Sequence, residues 1–201
     1  MVNLMVDIDH VSKPTYTPAF VEICDPMKRM GGDGVTLLAC KVKYRGNTSI
    51  RYDKKSFTIQ VVDGQGEELN ANLFGLRRDK IWVLDAMAVD RIRMRNRVNF
   101  DVWNAMSRVP YDTELDRRNG TVGLFVELFI NGEYHGLYCF TDKVNRKLLD
   151  LKKPRVDDKG QPIIRGVLYK GREWSSATRL RGYETDTTWQ KKEERMGTRI
   201  S

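Results

Sequence analysis

Apolar and polar residues alternate through most of this chain, and alternation is the signature of half-buried β-strands. The pattern predicts an extended lead-in over residues 1–18 with a short strand at Asn3–Ile8, and further strands at Phe20–Cys24, Val35–Tyr44, Ser56–Val62 and Lys80–Ala86. Pro14 and Pro18 break helix in the lead-in, and Gly31, Gly32 and Gly34 mark a loop after Asp25-Pro26. Asn131-Gly132 is the strongest hairpin signal and joins strands at Val122–Ile130 and Glu133–Phe140. Leu124, Val126, Leu128 and Ile130 share one face of that hairpin and Phe125 and Phe129 the other, so it is expected to be central and covered on both sides.

Two segments depart from the alternation. Leu69–Leu76 is expected to form a short helical turn. A longer helix is predicted from Asp90, as N-cap, to about Ser107, with Pro110 ending it. Met94, Val98, Val102 and Ala105 or Met106 fall at helical spacing, which predicts a buried stripe. Residues 145–165 read as exposed, and the chain after Gly171 as a polar tail. Together these elements predict an α+β fold, a twisted and mainly antiparallel sheet with one principal helix.

Composition adds less. A chain of 201 residues with 40% hydrophobic content can bury a core, which excludes disorder throughout. The excess of 35 Lys and Arg over 27 Asp and Glu gives +8, a balance suited to phosphates, acidic proteins or polyanions. No RNA- or DNA-binding motif accompanies that charge, so nucleic acid is not an expected partner. Cys24, Cys40 and Cys139 form no metal-ligand pattern and read as free thiols, so no metal site is expected from them. No apolar run is long enough to span a membrane and no signal peptide is present. His10 and His135 lack a nucleophile motif beside them, and His135 reads as a packing residue of the hairpin.

Chemistry concentrates in K-V-K-Y-R-G-N-T-S-I-R-Y-D-K-K-S-F, Lys41 to Phe57. Arg45, Arg51, Lys54, Lys55 and Lys43 surround a turn built from Gly46, Asn47, Thr48 and Ser49. Such a loop can cradle a phosphate through backbone N–H groups, with Arg45 or Arg51 adding charge-assisted bonds. It can equally be a structural hairpin whose Asn47 and Ser49 satisfy the turn while the cations stay solvated. The residues alone leave both readings open.

Read with I-W-V-L-D-A (81–86), D-R-I-R-M-R-N-R (90–97), F-V-E-L-F-I-N-G-E-Y-H-G-L-Y-C-F-T-D-K-V (125–144) and G-V-L-Y-K-G (166–171), this hairpin resembles the spore-coat CotH family of atypical protein kinases. The resemblance covers about residues 35–171, so a kinase-like N-terminal lobe is expected over 1–171 and a polar extension over 172–201. It implies ATP-dependent phosphoryl transfer to protein Ser or Thr, with ATP and Mg²⁺ as cofactors. It also implies a protein substrate or a coat or surface protein as partner, and a secreted or cell-envelope location. Under it, Arg45, Asn47, Ser49, Arg51 and Lys55 are the nucleotide-binding candidates, with Lys54 on the opposite strand face. Asp90, Arg95 and Glu127 are candidates for a buried ion-pair network, Glu127 pairing with Arg95 or Lys55. Asp142 stands where the family usually has Glu. The later D-x-x-x-x-N and W-D-x-D motifs of the family are not found, so catalytic residues stay unassigned and the chain by itself is expected to be inactive. The alternative is a non-catalytic surface or coat-assembly module that binds an acidic partner.

Overall fold

The computed structural model describes residues 1–107, 120–149, 151–152, 154–163, 169–171 and 189–191. By contacts the chain divides into two compact units, Met1–Val144 and Asn145–Ser201. The first holds strands β1 (Val2–Val6), β2 (Thr17–Cys24), β3 (Val35–Arg45), β4 (Ser56–Val61), β5 (Ile81–Asp85), β6 (Gly123–Ile130) and β7 (Glu133–Asp142), with helix α1 (Arg95–Met106) between β5 and β6. The second shows two small antiparallel pairs, β8 (Arg155–Val156) with β9 (Pro162–Ile163) and β10 (Tyr169–Gly171) with β11 (Trp189–Lys191). Most of the expected extension from residue 172 onward, and Pro110, lie outside the described residues.

The expected α+β open sheet is not what forms. The strands of the first unit close into a barrel in the order β1-β2-β3-β4-β5-β7-β6, so the fold is mostly β, with one short α-helix among the described residues, not the expected kinase-like lobe. The reason lies in the N-terminal segment, where the short strand expected at Asn3–Ile8 forms at Val2–Val6 and pairs on both of its edges. Val2, Leu4 and Val6 alternate inward and are buried, which makes β1 a full member of the sheet. Its far edge then pairs in parallel with β6, Val2 opposite Leu128 and Leu4 opposite Ile130. Closure satisfies both sheet edges, which an open sheet leaves unpaired.

Asn131 fastens the seam. It takes φ 52° in the Asn-Gly turn, a conformation Asn tolerates better than most residues. Its side-chain oxygen accepts from Val6 N–H at 2.9 Å and its amide donates to Val6 C=O at 2.8 Å, extending the β1 ladder by one mimic of a strand residue.

The barrel interior is the core. Phe57, Ile59, Trp82, Leu84, Tyr138 and Phe140 are almost wholly buried there, each large apolar side chain contributing about 1.5–3 kcal/mol. Trp82 and Phe140 stack at 5.4 Å and Phe74 meets Phe140 edge-on at 5.1 Å. Phe74 comes from the connection between β4 and β5, where the expected helical turn is instead irregular chain that buries Leu73, Phe74 and Leu76.

With the core inside a closed barrel, the outer face of the hairpin is covered only in part, Cys139 being buried and Phe129 half-buried. Phe125 is 41% exposed and Glu127 and His135 are exposed, so the expectations of a doubly covered hairpin and a packed His135 are both corrected.

The helix is also turned from its predicted orientation. Met94, Val98, Val102 and Met106 are exposed, between 46% and 79%. The face against the barrel is instead Asn96, Phe100 and Asn104, at the same four-residue spacing. Asn96 donates to Asp85 at 2.9 Å, and Asn104 donates to the carbonyls of Phe100 and Thr121 at 2.8 and 2.9 Å. Phe100 approaches Gly123 closely enough that a Cβ there would stand 3.6 Å from its ring and 2.6 Å from Cys139 Sγ. Polar groups at a sheet end needed partners, and the amides supply them.

Three ion pairs on buried carboxylates, made by two arginines, hold loops to the barrel. Asp25, fully buried, accepts from the Arg29 guanidinium at 2.8 Å and from the Met27 and Arg29 backbone N–H groups. Arg77 bridges the buried carboxylates of Asp79 and Asp142 at 2.7 and 2.9 Å. Asp142 is thus a structural anchor for the β4–β5 connection. Cys24, Cys40 and Cys139 are free, and burial pushes the Cys40 thiol up to about 12 and that of Cys139 to about 11.

Candidate functional site at one mouth of the barrel

Strand register gathers the candidate residues at one end. Arg45 at the close of β3 pairs with Ser56 at the start of β4, Phe57 pairs with Leu84, and Asp85 pairs with Cys139 of β7. The loop between β3 and β4 and the loop after β5 therefore emerge from the same mouth.

The first loop is shaped by Gly46, at φ 122°, where a Cβ would meet Ser49 Oγ at 2.2 Å. No other residue fits that turn without moving Ser49. Thr48–Arg51 then form a 3-10 turn, with Asn47 preceding it. Lys55 braces the turn from within, donating to Ile50 C=O at 2.8 Å and Tyr52 C=O at 2.7 Å. Arg45, Asn47 and Arg51 are exposed and Ser49 is half-buried. Among the described residues neither Arg45 nor Arg51 has a salt bridge, so both guanidinium groups are available to an anion.

Lys54 takes a place the sequence did not show. Alternation directs it away from the barrel interior, yet its long stem folds over β7. The ammonium stands 4.2 Å from the centre of the Tyr138 ring and donates to Leu137 C=O. Burial is the main reason its pKa falls to about 8, with the charge of Arg93 adding to the fall and Asp85 opposing it. Tyr138 donates to Lys55 C=O at 3.1 Å, and burial pushes its hydroxyl up to about 12.

Asp85, half-buried on β5, links these parts. One oxygen accepts from Ser56 Oγ at 3.3 Å and Met87 N–H at 3.0 Å, and the other from Asn96 at 2.9 Å. The tie between Asp85 and Asn96 fixes the first turn of α1 against the mouth. Nothing in the sequence pattern singled out Asp85. The only signal was its place at the end of an apolar strand, where a carboxylate needs donors.

The expected ion-pair network is dispersed. Asp90 is not the N-cap expected of it: the helix begins at Arg95 with Met94 as N-cap, and Asp90 lies in the loop before it, accepting backbone N–H bonds from Ile92, Met94 and Arg95 at 2.9–3.2 Å. Those bonds hold its carboxyl below the ordinary range. Arg95 reaches Asp90 at 3.3 Å but is 68% exposed, so the pair lies at the surface. Glu127 sits on the outer face of β6, exposed, and pairs with neither Arg95 nor Lys55.

With its exposed cations, glycine-built turn and desolvated lysine, the mouth has the components of an anion-binding barrel. Residues 42–199 match the family model described as CotH kinase protein, and the chain belongs to that family. No curated protein matches the chain. Among the described residues no helix is long and apolar enough to cross a membrane.

Proposed function

We propose that this protein serves ATP-dependent phosphoryl transfer to Ser or Thr of a protein substrate, with the barrel mouth receiving the nucleotide phosphates. The observation that carries the reading is the Arg45–Arg51 loop in a chain of the CotH kinase family: a strained-glycine turn flanked by two exposed guanidinium groups without salt bridges. Phosphoryl transfer depends on positioning and charge neutralisation more than on covalent chemistry by the protein. Lys55 contributes by holding the loop, since both of its carbonyl partners belong to it. ATP fits these residues through its phosphates. Mg²⁺ goes with the family reading, held chiefly by those phosphates with one or two carboxylates; the described residues contain no group of three or more His, Cys, Asp or Glu that would hold a metal ion alone. A coat or surface protein as substrate, and a secreted or cell-envelope setting, go with the family reading.

Isothermal titration of ATP into the protein tests this. The expected result is weak saturable binding that the double variant Arg45→Ala/Arg51→Ala abolishes. Binding unaffected by that variant, or none at all, refutes it. A second reading, a non-catalytic module for an acidic partner, draws on the exposed stripe of α1 beside Arg91 and Arg95. It predicts capture of an acidic protein that survives loss of Arg45 and Arg51 but not of Val98 and Val102.

A further inference from the structure

Strand register builds a row of outward side chains across five strands of the barrel. Leu37 of β3 stands opposite Glu22 of β2, Glu22 opposite Asn3 of β1, Asn3 opposite Phe129 of β6, and Phe129 opposite Tyr134 of β7. The residues next to them in the strands, among them Leu4, Val21, Ile23 and Leu128, are buried in the core, which turns this row to the outside. The Phe129 and Tyr134 rings lie 5.3 Å apart. Phe20 flanks the row on the same face, and Phe20, Leu37 and Tyr134 are 53%, 61% and 60% exposed. Glu22 within the row and Glu127 beside it make this apolar face acidic, and among the described residues neither has a salt bridge.

Helix α1 offers the complement. Its outward face carries Met94, Val98, Val102 and Met106, and at 3.6 residues per turn Arg95 falls on that same face. Arg91 is exposed just before the helix, and Asp90 offsets only one of these two cations. Asp101 is the one acid of α1, and it is engaged by Arg97 at 3.0 Å. The helix is not free to cover the row of its own barrel. Asn96 and Asn104 tie it to Asp85 and Thr121, and it meets β6 at Gly123, which is six residues or about 20 Å along the strand from Phe129.

Exposed apolar patches mark association sites, and here two patches of opposite charge are carried by one chain. We propose that this protein associates head to tail with itself, α1 of one copy docking on the Leu37–Tyr134 row of the next. The proposal rests on the second reading above, of α1 as a docking face, and names its acidic partner as another copy of this chain. The Val98–Val102 ridge packs among Phe20, Leu37 and the Phe129–Tyr134 pair, while Arg91 and Arg95 meet Glu22 and Glu127. Because the two faces differ, each added copy leaves one of each kind open, so assembly runs on to a ring or a filament. Arg45 and Arg51 belong to neither face, so the barrel mouth stays open to its ligand in the assembly.

The test is sedimentation velocity of the whole chain from micromolar to submillimolar concentration. One variant, Val98→Gln/Val102→Gln, disables the helix face with a good helix former. The other, Phe20→Thr/Leu37→Thr, disables the row with a good strand former. Val156→Gln, an exposed apolar position of the second unit, is the control, and circular dichroism confirms folding of each. Wild type should grow in size with concentration, less so at high salt. Each double variant should lose about tenfold or more in self-affinity, with Val156→Gln unchanged. An equimolar mixture of the two double variants should form a dimer that grows no further, since one intact face of each kind remains. Arg95→Glu should weaken assembly, and mixing it with Glu22→Lys/Glu127→Lys should restore a dimer. A wild type that stays monomeric throughout overturns the proposal, and capture of a foreign acidic protein through Val98 and Val102 would then leave the second reading standing without it. Assembly lost with the helix variant but untouched by the row variant, or a mixture that stays monomeric, also overturns it.

Discussion

Replacing Asn131 by Ala should weaken the barrel at its seam. Two side-chain hydrogen bonds to Val6 are lost, worth roughly 1 kcal/mol each. Ala also carries the left-handed backbone at φ 52° less easily than Asn, adding about 1 kcal/mol. The total is about 3 kcal/mol, a large share of the 5–15 kcal/mol that typically separates folded from unfolded domains. With a urea dependence of about 2 kcal/mol per molar, the midpoint should fall by about 1.5 M. Urea unfolding followed by tryptophan fluorescence reads it, because Trp82 is fully buried within the barrel. Asn131→Gly separates the two contributions: it keeps the backbone and loses only the bonds, so about 2 kcal/mol should remain. A midpoint for Asn131→Ala equal to wild type would refute the claim that this side chain closes the barrel. Full recovery in Asn131→Gly would assign the whole effect to backbone strain.

The orientation of α1 is checked by a pair of substitutions: Val98→Gln, on the exposed face, should change stability by less than about 0.5 kcal/mol, whereas Phe100→Ala, beside Gly123, should cost about 2 kcal/mol. The reverse order in thermal melts would put the apolar stripe back against the barrel. Asp25 is held down to about 2 from 3.8, chiefly by its hydrogen bonds to Arg29, so its contribution is complete above about pH 4 and disappears as pH falls toward 2. The stability gap between wild type and Arg29→Met should therefore be widest at neutral pH and narrow across that window; a gap constant with pH would contradict the buried pair. Lys54, held near 8 by burial, should be acylated at pH 7.5 roughly tenfold faster than the exposed Lys13. Peptide mapping after limited labelling checks it, and equal labelling would place Lys54 in open solvent.

Strand positions were legible because alternation is local, and each of β2 to β7 follows an apolar run in the sequence. Closure was not, since the partner of Val2 is Leu128 and no local pattern announces a contact over that separation. The helix was placed but not its rotation. Apolar spacing marked Met94, Val98 and Val102 as inward, but Asn96 and Asn104 found backbone and carboxylate partners on the barrel and turned the other face toward it. Of the candidate site, the Arg45–Arg51 loop was visible in its cations and turn residues. The positions of Lys54 and Lys55 were not: alternation assigns a face to each Cβ, whereas the amines are placed by four-carbon stems, one reaching Leu137 and the other the loop's own carbonyls.

Mapping of backbone amide shifts during an ATP titration tests most directly whether the barrel mouth receives nucleotide phosphates. Progressive shifts are expected at Arg45–Ser56, Arg93–Asn96 and Leu137–Tyr138, with β1 and β2 unmoved. Shifts confined to the exposed face of α1, or no shifts at millimolar ATP, would contradict it.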